Sequence, residues 1–227
     1  MSTGANKEAV TPSSLRLVLT LAIAGLVSGI AIIGIYESTL PTITANKARE
    51  LREAVFKVLP GVSQMQALVS RNGELVVVAA PDKDEPVIYG GYDEAQAFVG
   101  YAIPAAGPGF QDTIAILYGY MPGKKQVVGM EVLESRETPG LGDKIYKDAV
   151  WVAGFSALSV EPEIIAVKKG TKSSPNEIDA ITGATISSKA VVRIINEAHT
   201  AWVAQLPPPG SEPPLRQTGT ADSEAGQ

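Results

Sequence analysis

The sequence predicts an α+β protein, with a single N-terminal transmembrane helix followed by one domain of antiparallel sheet and flanking helices. Three observations carry that expectation. Leu17 to Tyr36, LVLTLAIAGLVSGIAIIGIY, is a twenty-residue run without a charge. Beyond it, short apolar runs alternate with Gly-, Pro- and Asn-rich turns, the spacing of hairpin strands. Near the C-terminus, Val191, Ile194, Ile195, Ala198 and Trp202 fall at helical spacing.

In chain order, residues 1–14 are polar and read as a short cytoplasmic N-terminus, with residues 15–36 as the membrane span. At 1.5 Å per residue the apolar run matches a hydrocarbon core of about 30 Å. A cleaved signal peptide has an apolar region of about 7–15 residues and a small-x-small site. This run is longer, and Ile43 occupies a position where such a site needs a small residue. Gly25 and Gly29 make a GxxxG spacing that lets another helix approach. Lys7 and Arg16 precede the span while Lys47, Arg49 and Arg52 follow it, so basic residues alone assign no inside.

Residues 37–61 read as a linker helix. Pro41 punctuates its start, Ala48, Leu51, Val55, Phe56 and Leu59 lie at helical spacing, and Pro60-Gly61 stops it. The domain is assigned to residues 62–206. Asn72-Gly73 between MQALVS and LVVVAA marks a hairpin, and Pro122-Gly123 a second one. Further strands are expected at Ala97–Ile103, Thr113–Tyr120, Gln126–Leu133 and Glu163–Val167, with helices at Tyr146–Phe155 and Ser187–Leu206. From Pro207 to the end, residues 207–227 are Pro-, Gly- and polar-rich and read as a disordered tail.

Composition excludes several chemistries. The chain has no cysteine and one histidine, His199. Disulfides, thiolate metal sites and Cys-ligated clusters are therefore out, and no metal centre is expected. Redox chemistry here requires an organic cofactor. With 24 acidic against 19 basic residues and no Lys/Arg run, nucleic acid is not an expected partner.

The stretch DAITGATISSKAV, Asp179 to Val191, crowds four hydroxyl side chains (Thr182, Thr185, Ser187, Ser188) around a helix start. One capping hydroxyl suffices for a helix. Unpaired N–H groups and the positive dipole end there favour a phosphate, and Gly183 permits close backbone approach. No G-x-x-x-x-G-K-[ST] or G-x-S-x-G pattern is present. The residues by themselves give an anion-friendly helix start, or a simple cap.

Asp179, Thr182, Gly183, Ala184 and Thr185 match the D-x-x-[ST]-G-A-T motif of FMN-binding domains that carry covalent flavin. At average residue usage the pattern arises by chance about once in two thousand chains of this size. The resemblance implies that a flavin transferase moves FMN from FAD onto Thr185 as a phosphoester, with Asp179, Thr182, Gly183 and Ala184 as recognition residues. Ser187 and Ser188 join them as cofactor-site candidates. A second stretch, ETPGLG at Glu137–Gly142, is similar to a loop signature of the same domains. It implies cofactor contacts from Glu137, Thr138, Gly140, Leu141 and Gly142, and a phosphate or carbonyl contact from Lys144.

The layout as a whole resembles the G subunit of the Rnf electron-transport complex over residues 13–206. The similar C subunit of sodium-translocating NADH:quinone reductase and a stand-alone extracytoplasmic flavoprotein are the alternatives. The resemblance implies an electron-carrier subunit of an ion-translocating NADH/ferredoxin oxidoreductase, a translocase that is not catalytic alone. It implies a single pass in the inner (cytoplasmic) membrane with the FMN domain on the extracytoplasmic side. Its partners would be the lipid bilayer, the other membrane and cluster-bearing subunits, and the flavin transferase during maturation. The chain has no strand–GxGxxG–helix for NADH, which agrees with a relay role. Trp151, Tyr118 and Tyr120 are read as core aromatics rather than flavin neighbours.

Overall fold

The computed structural model describes residues 13–79, 81–82 and 85–216. The expected N-terminal segment 1–14 thus lies almost wholly outside the described residues, as do residues 217–227.

The apolar run and the linker form one helix, α1, Ser14–Val58. A break at Pro41 was the sequence expectation, and Pro41 instead lies inside the helix. An interior proline forfeits its own N–H bond and its ring crowds the carbonyl four residues before it, here that of Glu37, and the helix runs on past that local cost. Around it, Ser38, Thr39 and Thr44 return hydroxyl bonds to the carbonyls of Gly34, Ile35 and Leu40 at 2.6, 2.9 and 2.9 Å. By length and composition α1 can cross a membrane.

Residues from Glu50 onward form their own compact unit. Its main sheet has seven strands: β1 Gln64–Arg71, β2 Glu74–Val78, β3 Val87–Tyr92, β4 Phe98–Pro108, β5 Thr113–Met121, β6 Gln126–Ser135 and β7 Leu158–Ser159. The order is β2-β1-β3-β4-β5-β6-β7, and every pairing is antiparallel. Both expected hairpins form, at Asn72-Gly73 and across the turn Pro122–Lys124. Strand β3, VIYGGY, was not among the expected strands, and its paired glycines weaken a strand interior. Pairing to β1 and β4 on both sides overrides that local preference.

The glycines serve close approach. Residues Ala54, Val55, Val58 and Leu59 pack on Ala102, Leu117 and Val128. A Cβ on Gly129 would fall 2.7 Å from the Cα of Val58, and one on Gly119 would collide with the Val58 carbonyl. The main core includes Val191, Ile194 and Ile195 together with Trp151, Phe155, Tyr118 and Tyr120. The aromatics are thus core residues, as read.

After β6 come α2 Lys144–Lys147 and α3 Ala149–Ala153, then β8 Ile165–Val167, β9 Glu177–Asp179 and α4 Thr185–Val203. The single helix expected at Tyr146–Phe155 is split at Asp148, whose carboxylate accepts from Val150 N and Trp151 N at 3.1 Å each. Strands β8 and β9 pair in parallel.

Within residues 207–227, assigned by composition to a disordered tail, Pro213, Pro214 and Arg216 bond to β1 and β3. The Gln66 amide donates to Pro214 O at 3.0 Å and accepts from Arg216 N at 2.9 Å, while the Tyr92 hydroxyl donates to Pro213 O. Composition measures burial capacity and misses backbone carbonyls that a fold can capture.

Candidate functional site

Helix α4 begins at Thr185 with Ala184 as its N-cap, and no side chain caps its first turn. Gly183, at φ +85°, turns the chain sharply into the helix. Thr185 is exposed, and its hydroxyl makes only a long 3.5 Å contact to Ile181 O. The four hydroxyls therefore divide. Thr182 and Thr185 face solvent, whereas Ser187 and Ser188 are buried. Ser188 donates to Ala184 O at 2.9 Å and accepts from Ile181 N at 3.1 Å, locking the turn from beneath.

Ser187 donates to Glu137, whose other carboxylate oxygen accepts from Phe110 N and Gln111 N at 2.9 Å each. Glu137 is 5% exposed. Burial pushes its carboxyl up, but the Ser187 hydroxyl and the amides of Gln111, Asp112 and Phe110 outweigh this and hold it below the usual carboxylate range. Glu137, Ser187 and Ser188, expected as cofactor contacts, are thus engaged in internal bonds. Those bonds brace the turn that presents Thr185.

Thr138 donates to the Gln111 side chain at 2.8 Å and accepts through its carbonyl from Leu141 N at 3.1 Å. That turn leaves Gly140 and Leu141 exposed and Gly142 buried. Lys144 reaches back to Thr182 O at 3.5 Å, and its ammonium lies 3.6 Å from where a Gly183 Cβ would be, with Leu141 Cδ2 at 3.8 Å. The two motifs, separate in sequence, meet there. Asp179 is turned elsewhere: its carboxylate accepts from Gly170 N at 3.0 Å and Lys172 N at 3.3 Å, and its carbonyl from Trp151 Nε1 at 2.8 Å. It shapes the 168–172 loop.

Beside Thr185 opens a cleft of about 490 Å³, whose lining includes Thr182, Gly183, Lys168, Lys169 and Lys189. Sequence reading missed these three lysines. Only Lys189 lies close to the motif, four residues beyond Thr185, and the pair Lys168-Lys169 reaches the site through the β8–β9 pairing, which no local pattern announces. Leu141 and Ile186, exposed at 50% and 58%, flank the same helix start. Among the described residues no His, Asp and Glu group is arranged to hold a metal ion.

Residues 109–200 match the FMN-binding domain family. The G subunit of the Na(+)-translocating ferredoxin:NAD(+) oxidoreductase complex of Acetobacterium woodii is 34% identical over 145 residues, covering 62% of this chain and 68% of that one. The G subunit of the ion-translocating oxidoreductase complex of Haemophilus influenzae is 32% identical over 163 residues, covering 70% and 75%. The chain belongs to the G subunit family of ion-translocating oxidoreductase complexes. Its fold is also that of NqrC from Shewanella oneidensis, with a TM-score of 0.59 at 19% identity over 71% of this chain and 98% of that one. In this member of the G subunit family the FMN-binding match begins at Gly109 and takes in both motifs, while β1 to β4 lie outside it.

Proposed function

We propose that this chain is the electron-carrier subunit of an ion-translocating NADH/ferredoxin oxidoreductase, holding FMN covalently through a phosphoester on Thr185. The observation that carries the reading is the exposed Thr185 hydroxyl at the uncapped start of a 19-residue helix, in a cleft lined by Lys168, Lys169 and Lys189. That donor set fits a phosphate: a helix dipole, free N–H groups and three ammonium groups favour negative charge.

In maturation, Thr185 Oγ1 takes the flavin mononucleotide phosphoryl group from FAD. A P–O bond to Thr185 forms as the pyrophosphate bond breaks, AMP leaves, and the hydroxyl proton is released. A flavin transferase would perform the step, reading Asp179 through Thr185. Bound there, FMN supplies reversible electron transfer. The protein residues do the holding. The lysines would neutralise the phosphate, Lys144 stands by Thr182, and exposed Leu141 and Ile186 would offer apolar surface to a planar ring. The covalent link removes cofactor dissociation.

Relatives named as subunits of ferredoxin:NAD(+) oxidoreductase complexes support a place among other membrane and cluster-bearing subunits. Helix α1 would anchor the chain once in the inner membrane, with the flavin domain extracytoplasmic. Identity of 30% or more to relatives named as G subunits favours this over a component like the C subunit of the quinone reductase or a stand-alone flavoprotein.

Intact mass of the denatured protein, expressed with a flavin transferase, tests the attachment. An adduct of one FMN minus water, absent in Thr185→Ala, is the expected result. An unmodified parent beside a transferase active on a control substrate overturns it.

A further inference from the structure

The C-terminal segment has a built receptor on the sheet, away from the flavin-site motifs. Gln66 on β1 and Tyr92 on β3 are 9% and 1% exposed, and they bond to each other, Gln66 Nε2 to Tyr92 Oη, at 2.6 Å. The pair meets because of Gly90, which lies opposite Gln66 in the register. A Cβ there would stand 3.1 Å from Tyr92 Oη, so the missing side chain is the room in which the phenol lies. Phe98 packs on Tyr92 at 5.7 Å and on Tyr101 at 4.6 Å between ring centroids, giving the receptor an aromatic floor.

Onto this surface the segment presents backbone polar groups, which the two side chains read in sequence. Tyr92 Oη donates to Pro213 O, Gln66 Nε2 donates to Pro214 O, and Gln66 Oε1 accepts from Arg216 N. Pro213 and Leu215 are half-buried while Pro214 and Arg216 are exposed, so alternate side chains turn inward. This is the way extended proline-rich peptides are recognised: aromatic walls receive rings, and side-chain donors take the carbonyls that such a chain leaves unpaired. Proline also lowers the entropy lost on docking, since its φ is already fixed.

We propose that Gln66, Tyr92, Phe98 and Tyr101 form a receptor for an extended proline-rich peptide, and that residues 213–216, beyond the turn at Pro208–Ser211, are its ligand in cis. The segment straps itself onto the β1–β3 part of the sheet. It closes the aromatic cluster from solvent and leaves the α4 start free for chemistry at Thr185. The strap does not depend on that chemistry.

Hydrogen exchange on the full-length chain in detergent tests it. The Arg216 amide, bonded to Gln66, should exchange about tenfold or more slower than in the free peptide of residues 207–216. Tyr92→Phe removes one hydroxyl and keeps the ring, and Gln66→Ala removes both amide contacts. Each should speed Arg216 exchange, Gln66→Ala to the free-peptide rate, while β5 amides stay protected and report an intact sheet. Free-peptide exchange of Arg216 in the parent overturns the strap. So does unchanged protection in both variants.

Discussion

The Ser187 hydroxyl donates to the Glu137 carboxylate across fifty residues of sequence, and both side chains are buried. Through this bond one carboxylate holds three elements: the turn at Phe110 and Gln111, the Thr-Pro-Gly loop, and the first turn of α4. Thr185 lies two residues before Ser187, on the exposed side of the same turn. The buried bond therefore sets the direction in which the candidate attachment hydroxyl points. Ser187→Ala should cost about 1–3 kcal/mol, because it leaves a buried carboxylate short of a donor. Denaturant unfolding measures the loss, and flavin attachment followed by intact mass should slow in parallel.

Acid should weaken the domain through the same carboxylate. Glu137 is held below its usual value of 4.5 in the folded state. A depressed carboxyl contributes stability that is present above the unfolded value and is lost as pH falls through the folded one. Stability should thus decline on acidification below about 4.5. In Glu137→Gln that part of the slope should vanish, leaving a flatter profile in urea midpoints taken from pH 6 to pH 3.

His199 gives a separate step at higher pH. Its ring packs edge-on to Tyr120 at 4.7 Å, and its Nδ1 is buried without a partner. Burial pushes its pKa below the ordinary 6.5, only partly opposed by Glu161. The unfolded chain therefore takes up a proton that the folded chain refuses, and stability falls as pH drops from 6.5 toward the folded value. His199→Phe should remove this decline between pH 7 and pH 5. Thermal midpoints in that window check it.

Elements with a strong local pattern were legible in the sequence. The uncharged run, both hairpin turns and the apolar stripe of α4 each follow from residues within one element. What was missed depends on distant partners. β3 exists because β1 and β4 flank it, and Lys168-Lys169 joins the cleft because β8 pairs with β9. The site motifs were legible as a set but not in their division of labour. A Glu and two Ser look the same in sequence whether they face a ligand or, as Glu137, Ser187 and Ser188 do, each other and the backbone. The bonds that hold Pro213, Pro214 and Arg216 are made to their backbone groups, invisible to side-chain composition.

Close packing under α1 predicts one large effect. Gly119 faces the Val58 carbonyl with no room for a Cβ, and Gly129 has Val58 Cα at 2.7 Å from its Cβ position. Backbone cannot rotate away as a flexible side chain does, so either glycine changed to alanine forces residues 54–59 off the sheet. Gly119→Ala should lose about 3 kcal/mol or more, as overpacking against backbone exceeds the usual range of about 1–3 kcal/mol for side-chain crowding. Gly123→Ala, with open space around it, is the control. Urea unfolding of the three chains ranks them.

Two glycines of the Thr-Pro-Gly loop should separate backbone strain from crowding at the site. Gly140 has φ +79° and open space, so Gly140→Ala bears only the cost of left-handed backbone, about 1 kcal/mol. Gly142 has an occupied surround: a Cβ would stand 2.7 Å from Glu137 Cβ and Oε2 and 2.9 Å from Ser187 Oγ. Gly142→Ala must push the carboxylate off its donors, and it should cost about 1–3 kcal/mol by overpacking. The two variants differ beyond the size of the loss. Gly140→Ala should keep the acid decline below about 4.5, because Glu137 keeps its Ser187 and amide bonds. Gly142→Ala should blunt it, since a displaced carboxyl returns toward its ordinary value. An acid profile of Gly142→Ala as steep as the parent's would mean that the loop yields instead, and that Glu137 holds Ser187 more firmly than the loop holds its own shape.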